Sequence, residues 1–267
     1  MKTIELKEVE HNKKIGQECE YIEPNVTEDC LFVSEGKVIG FYLSEMNDKA
    51  KNLVNIANTE FRSDRVPKSK MNRATTKGYD KKTGKGIYDY VSQYSTIIGS
   101  IPKKPHLRRN WNTQSSVHLK PTAKTFIKAM LLLAVESEKI VKEIMPEQYL
   151  IQKKIFENVD DKWKFGNLFT SSISNFNISA PFHRDTGNIK NTINVIITKR
   201  EFSRGGCLHI PDYNATIEQK DNSILVYPAW RNVHGVTPII PTKEGGYRNS
   251  LVFYPLQAFY DSKNDSE

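Results

Sequence analysis

The stretch Phe182-His183-Arg184-Asp185-Thr186-Gly187-Asn188 organises the rest of this chain, because it sets a histidine and an aspartate two residues apart in a strand-like context. Alternate side chains of an extended strand share a face, so His183 and Asp185 point one way and Arg184 the other. A third ligand has to come from a distant strand. His234 supplies it from Asn232-Val233-His234-Gly235-Val236-Thr237-Pro238, an apolar and β-prone run. Two imidazoles and one carboxylate then take one face of a metal and leave three positions open, the ligand set that suits non-haem iron(II). A structural zinc site would close four-coordinate with cysteines, and none lies near these residues in sequence.

A His-x-Asp triplet alone arises often by chance; the ordered set is far more specific. Downstream come a Gly205-Gly206 turn, an apolar strand from Ser223 to Tyr227, then His234, then Arg248-Asn249-Ser250 opening another strand. Arg248, Ser250, Val252 and Tyr254 alternate onto one face, so a guanidinium and a hydroxyl look together into one cavity. Such a pair suits a carboxylate, in a charge-assisted contact worth roughly 1.5 to 3 kcal/mol.

On these residues the chain resembles the Fe(II)/2-oxoglutarate dioxygenases, and more narrowly the ten-eleven translocation and base-J-binding-protein group, which oxidises the 5-methyl of DNA pyrimidines. His183 to Asn188 is similar to that group's His-Arg-Asp-x-x-Asn, and Leu208-His209-Ile210-Pro211 to one of its strands. His234 to Pro238 is similar to its His-x-x-Thr-Pro, and Arg248 to Tyr254 to its Arg-x-Ser-Leu-Val-Phe-Tyr. The resemblance runs from Phe165 to Phe259. It implies an α+β fold with a double-stranded β-helix (jelly-roll) core and flanking N-terminal helices. It implies Fe(II) on His183, Asp185 and His234, 2-oxoglutarate with its far carboxylate on Arg248 and Ser250, and dioxygen as co-reactant. It also implies Asn188 against the edge of a flipped base, with Tyr254 packing on the base or the cosubstrate.

The chain departs from the group at one telling position. Methylcytosine-oxidising members carry a base-touching histidine two residues beyond the matching tyrosine, and here that residue is Leu256. Cytosine-specific reading is thereby weakened, and thymine stays open. The expected activity is hydroxylation of the 5-methyl group of 5-methylcytosine or thymine in DNA. The alternatives are a hydroxylase of RNA, protein or a small molecule, and a DNA-binding module without catalysis.

Bulk properties agree with a soluble intracellular protein, for which a monomer is the expectation. A chain of 267 residues can bury about 70 to 75% of its surface. No apolar run is long enough to span a bilayer, and Met1 to Lys7 lacks a signal peptide's apolar stretch, so the expectation is a cytoplasmic protein with no membrane partner. Cys19, Cys30 and Cys207 are odd in number and unpaired in spacing, which argues against a disulfide framework.

Charge is concentrated. Arg62 to Arg109 holds thirteen Lys and Arg against three Asp, a surplus of +10 where the whole chain is +8. Interleaved with Tyr79, Tyr88, Tyr90 and Tyr94, these cations suit phosphates and stacked bases, and Lys68, Lys70, Arg73 and Lys77 are the candidate nucleic-acid contacts.

Three regions follow. Residues 1–120 form a basic N-terminal region with a hairpin (Leu31 to Val33, Val38 to Leu43), a helix marked by Met46, Ala50, Leu53, Ala57 and Phe61, and a long basic loop from Lys68 to Gly86. Residues 121–164 give helical support, one helix through Phe126, Met130, Leu133, Ile140 and Ile144 stopping before Pro146, and a second from Tyr149 to Phe156. Residues 165–260 are the β-helix catalytic core, with a polar tail from Asp261 onward.

Overall fold

The computed structural model describes residues 1–79, 82 and 86–263, with the backbone alone described at 71–79 and 86–91. The chain opens with strands β1 (Lys2–Glu5), β2 (Cys30–Ser34) and β3 (Lys37–Leu43), then helix α1 (Asp48–Arg62), then β4 (Ser69–Tyr79), β5 (Gly86–Ile101) and β6 (Thr113–Gln114). Helices α2 (Lys124–Ile144) and α3 (Pro146–Ile155) follow. The remainder is β7 (Ser171–Phe176), β8 (Ala180–His183), β9 (Asn194–Glu201), β10 (Ser203–Gly205), β11 (Leu208–Ile210), β12 (Ala215–Ile217), β13 (Ile224–Tyr227), β14 (His234–Val236), β15 (Ile239–Pro241) and β16 (Tyr247–Tyr254).

Local chemistry sets these boundaries. Glu35 and Gly36 both take positive φ in the two-residue turn between β2 and β3, the conformation that matches the twist of a hairpin. Asn47 caps α1 by accepting from the Ala50 backbone N–H, and Ala50, Val54, Ala57 and Phe61 form its buried stripe. Pro146 ends α2 and opens α3, where its missing N–H is no loss.

The major sheet runs β1-β2-β3-β13-β9-β16-β7-β5-β4, with β6 paired to β5, and a second sheet runs β12-β11-β14-β8. One face of the major sheet, through Val195, Ile197, Val226, Leu251 and Phe253, packs against α1 and α2. On the other face Leu225 and Tyr227 meet Leu208, Ile210 and Ile217 of the second sheet. The fold is thus α+β, two β-sheets face to face with helices against the larger one: a double-stranded β-helix with helical flanks. Side-chain alternation on β16 divides its residues between the two faces. Leu251 and Phe253 support the helices, and Arg248, Ser250, Val252 and Tyr254 line the space between the sheets.

The basic stretch differs from the loop expected there. Residues 69–79 and 86–95 are paired antiparallel strands, Ser69 against Ser95 through Tyr79 against Gly86. Thr75, Thr76, Ile87, Tyr88, Tyr90 and Val91 are strand-favouring residues, and a lysine-rich sequence is what an exposed edge such as β4 carries. Glycine was the misleading signal: Gly78 sits at a shift in register and Gly86 begins a strand. Lys81, Gly84 and Lys85 lie outside the described residues, as do residues 264–267 of the polar tail. The N-terminal 120 residues also contribute six strands, joined to β13 and β7 of the later region. No helix among the described residues is long and apolar enough to cross a membrane.

Candidate active site

His183 ends β8 and His234 begins β14, and the two are directly paired across that ladder. Their ring centroids are 4.4 Å apart, and His183 Nε2 lies 3.6 Å from Asp185 Oδ1. One ligand atom from each of His183, Asp185 and His234 falls within 4.8 Å of the others, a spacing that can hold a metal ion. A register shift between His234 and Val236 lets β14 turn its histidine toward the centre.

The surroundings prepare these groups as ligands. His183 Nδ1 lies 2.8 Å from the Pro181 carbonyl and His234 Nδ1 lies 3.1 Å from that of Asn232. With Nδ1–H donating to a carbonyl, each ring presents its Nε2 lone pair to the metal position. Burial, and next the nearby His183, hold His234 below the usual imidazole pKa, which keeps it neutral near pH 7. Asp185 Oδ2 accepts from Asn194 Nδ2 at 3.0 Å, and Asn194 Oδ1 accepts from Asn188 Nδ2 at 2.9 Å. The carboxylate is therefore oriented by a pair of buried amides.

A second feature of the same cavity asks for an anion. Arg248 is 3% exposed, yet its guanidinium makes no hydrogen bond or ion pair among the described residues and its Nε is buried without a partner. Burial, and next the neighbouring Arg200, pull its pKa down to about 10. Arg200 Nη1 donates to the carbonyls of Gly205 and Gln219, while Arg200 Nη2 and Gln219 Nε2 are buried without acceptors. Gln219 lines this cavity with Arg248, and Arg200 stands opposite Arg248 across the β9–β16 pair; a carboxylate beside Arg248 would satisfy its orphaned Nε. Gly206 makes room: with φ at +66°, a Cβ there would lie 2.4 Å from Arg248 Cδ. These residues fit an iron(II) ion beside a dicarboxylate.

The cavity has a volume of about 510 Å³, and His183, Asp185, His234, Arg248 and Ser250 all line it. Asn188, Tyr254 and Leu256 line it too. Tyr254 is half-buried, and loss of hydration together with the nearby Asp185 raises its pKa above the ordinary phenol value. The sequence reading passed over Asn194, Arg200 and Gln219. For Asn194 and Arg200 a signal existed: Asn194, Ile196, Thr198 and Arg200 alternate along β9 as the residues of β16 do. Asn175 lines the cavity, whereas Asn177 is occupied in holding β16, its Oδ1 accepting from the Arg248 backbone N–H. His209 is a buried strand residue bonded to Thr216 Oγ1.

Among the described residues, Lys68 and Lys70 do not line this cavity. Lys68 donates to the Ser63 carbonyl and lies 5.1 Å over the Tyr94 ring, and burial lowers its pKa. Lys70 is exposed on β4, three strands from β16 along the pairing Lys70, Tyr94, Phe176 and Asn249. The side chains of Arg73 and Lys77 lie outside the described residues.

Comparison with known proteins places this geometry in a family. Residues 100–257 match Tet_JBP, the oxygenase domain of the 2OGFeDO superfamily, so the matching region begins well before Phe165 and takes in α2 and α3. Among solved structures, "NgTET1 in complex with 5mC DNA" is similar over 93% of this chain and 84% of its own, at 14% identity and a TM-score of 0.59. OsALKBH1 (13% identity, TM-score 0.39, covering 88% of this chain and all of its own) is more distant. So is a 2OG-Fe(II) oxygenase family oxidoreductase from Burkholderia pseudomallei (14%, 0.43, covering 80% and 82%). A search of curated proteins gives no match. Because the family match spans more than half of its residues, the chain belongs to the Tet_JBP oxygenases of the 2OGFeDO superfamily and is a dioxygenase that uses Fe(II) and 2-oxoglutarate.

Proposed function

We propose that this enzyme hydroxylates the 5-methyl group of a pyrimidine base, thymine or 5-methylcytosine, extruded from DNA into the cavity. The observation that carries the proposal is the placement of Asn188, Tyr254 and Leu256 in the same cavity as the His183–Asp185–His234 cluster. Tyr254 and Arg248 lie six residues apart on one face of β16, roughly 20 Å along the strand, so base and far carboxylate have separate ends of the cavity.

In this reading His183, Asp185 and His234 hold the iron, and Arg248 with Ser250 anchors the far carboxylate of 2-oxoglutarate. The bound iron, 2-oxoglutarate and dioxygen supply the oxidising power that turns a methyl C–H into C–OH, with succinate and carbon dioxide released. Asn188 offers an amide to the base edge, Tyr254 an aromatic wall, and Leu256 an apolar contact in place of a ring nitrogen. Extruding the base costs a few kcal/mol, offset by stacking and edge contacts within the cavity. The fold shared with NgTET1, described in complex with 5mC DNA, supports the reading.

The test is nucleoside mass spectrometry of DNA treated with purified protein, iron(II) and 2-oxoglutarate. A hydroxymethyl pyrimidine is the expected product. Succinate release without any modified nucleoside would move the substrate to RNA, protein or a small molecule, and no succinate at all would leave a DNA-binding module.

A further inference from the structure

The loop between β5 and β6 is the last part of the basic segment and lies beyond the Lys68 to Lys77 candidates in sequence. Between Asp89 and Glu136 the chain has no acidic residue, and this loop carries Lys103, Lys104, His106, Arg108 and Arg109 within seven positions. At its end stands Trp111, 72% exposed, and Leu107 is 64% exposed. An indole left in water beside five basic side chains is not a core element.

The loop is built rather than loose. Lys104 and Arg109 form a bridge, with Lys104 N–H donating to the Arg109 carbonyl at 2.7 Å and Arg109 N–H returning to Lys104 at 3.2 Å. A turn of 3-10 helix (Pro105–Leu107) fills it, Arg108 closes it at φ 59°, and Arg109 Nε donates to the Pro102 carbonyl. Asn112 Oδ1 accepts from the Lys103 backbone N–H. Held this way, Lys103, Lys104, His106 and Arg108 all point into solvent, and none has an ion pair among the described residues.

Its root adjoins the base end of the cavity. Thr170 is the rivet: its carbonyl accepts from Ser100 N–H at the end of β5, its N–H donates to the Tyr254 carbonyl, and its Oγ1 accepts from Leu256 N–H at 3.0 Å. Ser100 Oγ also donates to the Trp163 carbonyl, and Trp163 packs on Phe259 with ring centroids 5.2 Å apart. The loop therefore leaves the sheet beside Tyr254 and Leu256, whereas Lys70 pairs into the sheet near its Arg248 end.

We infer that the 102–112 loop is the mouth-side DNA contact: Lys103, Lys104 and Arg108 hold backbone phosphates next to the extruded nucleotide, and Trp111 stacks on an exposed base face there. The inference rests on the DNA reading above and adds the surface that delivers the strand. Cations without carboxylate neighbours release counterions when they meet phosphate, and an exposed indole stacks on any base.

The experiment uses the full-length protein with fluorescent duplexes, titrated at several salt concentrations. Lys103→Ala/Lys104→Ala/Arg108→Ala should flatten the slope of log affinity against log salt by about 0.9 for each phosphate no longer neutralised, and weaken binding on the order of ten-fold. Trp111→Ala should weaken binding roughly 5-fold or more with the slope unchanged, and Trp111→Phe should restore most of it. Being exposed, these side chains leave the melting temperature near the parent's. Parental affinity and slope in both variants would overturn the inference, as would a loss confined to vesicles of phosphatidylserine, which would assign the loop to a lipid surface. Nucleoside analysis of the parent, run in parallel, separates the two claims. DNA oxidation with indifferent loop variants removes the loop alone, and loop-dependent binding without oxidation removes the 5-methylpyrimidine reading alone.

Discussion

Arg200 and Arg248 stand directly opposite each other on β9 and β16, and among the described residues neither guanidinium meets a carboxylate. Arg248 is buried and Arg200 half-buried, so both have given up hydration and gained mutual repulsion, an arrangement that persists only where something else requires it. On the proposed reading, a dicarboxylate ligand is that requirement. Without it, burial and the neighbouring Arg200 make the Arg248 cation an unfavourable element of the folded protein at neutral pH.

Arg248→Met should therefore stabilise the ligand-free protein by about 1 to 3 kcal/mol, because a flexible apolar side chain fills the space without a buried charge. It should also abolish the rise in melting temperature that 2-oxoglutarate gives the parent, about 2.7 kcal/mol of stabilisation at a hundred-fold excess over Kd. Thermal melts with and without 2-oxoglutarate decide both points. A variant that is less stable than the parent, or that keeps the ligand shift, would place the carboxylate elsewhere.

The metal position gives a graded prediction. His183→Ala, Asp185→Ala and His234→Ala should each abolish 2-oxoglutarate turnover with the circular dichroism unchanged. Asn194 touches Asp185 rather than the metal, so Asn194→Ala should keep the ligand set and lower metal affinity about 10- to 100-fold. Anaerobic calorimetric titration with iron(II) or cobalt(II) measures this. Parental affinity in the Asn194 variant would mean that the amide does not orient the carboxylate.

What was legible in the sequence follows from periodicity. Arg248 to Tyr254 alternate along β16 as the sequence pattern requires, whereas β8 ends at His183 and Asp185 lies two residues beyond it in the following loop, and the cavity gathers both. The helix over Asp48–Arg62 and the hairpin before it also follow from local spacing and turn chemistry. Gln219 carries no local signal, and the alternation of Asn194 and Arg200 along β9 gains its meaning only once β9 lies beside β16, a pairing that sequence order does not give. The β4–β5 hairpin was missed because lysine and glycine content outweighed its β-branched and aromatic residues.

On the proposed reading, Leu256 bears on base choice. Its backbone pairs with Asn188 across the cavity mouth, and its side chain both lines the cavity and packs on the cluster around Phe156 and Phe259. Leu256→His puts a donor and acceptor where the chain now has only apolar surface, and should shift the ratio of oxidised methylcytosine to oxidised thymine by several-fold. Competition assays on mixed substrates, read by nucleoside mass spectrometry, give the ratio directly. If it does not move, base choice lies with Asn188 or Tyr254.

The hairpin cations call for a test in which footprint length is the variable. Lys68 packs on Tyr94, a contact worth roughly 0.5 to 1 kcal/mol, so Lys68→Ala should lower the melting temperature as well as removing charge. Lys70→Ala/Arg73→Ala/Lys77→Ala is the cleaner variant, and it should flatten the salt dependence of DNA binding if β4 tracks phosphates. The register fixes where that would happen. Lys70 lies three strand spacings from Asn249 of β16, and Asn249 lies five residues from Tyr254, so Lys70 stands roughly 22 Å from the base end of the cavity. At about 3.4 Å per base pair this is on the order of six base pairs from the extruded nucleotide. The triple variant should therefore match the parent on duplexes extending fewer than about four pairs to either side of the target, and fall behind it on duplexes extending ten or more. Equal affinities at every length would remove the hairpin from the DNA surface and leave binding to groups at the cavity mouth.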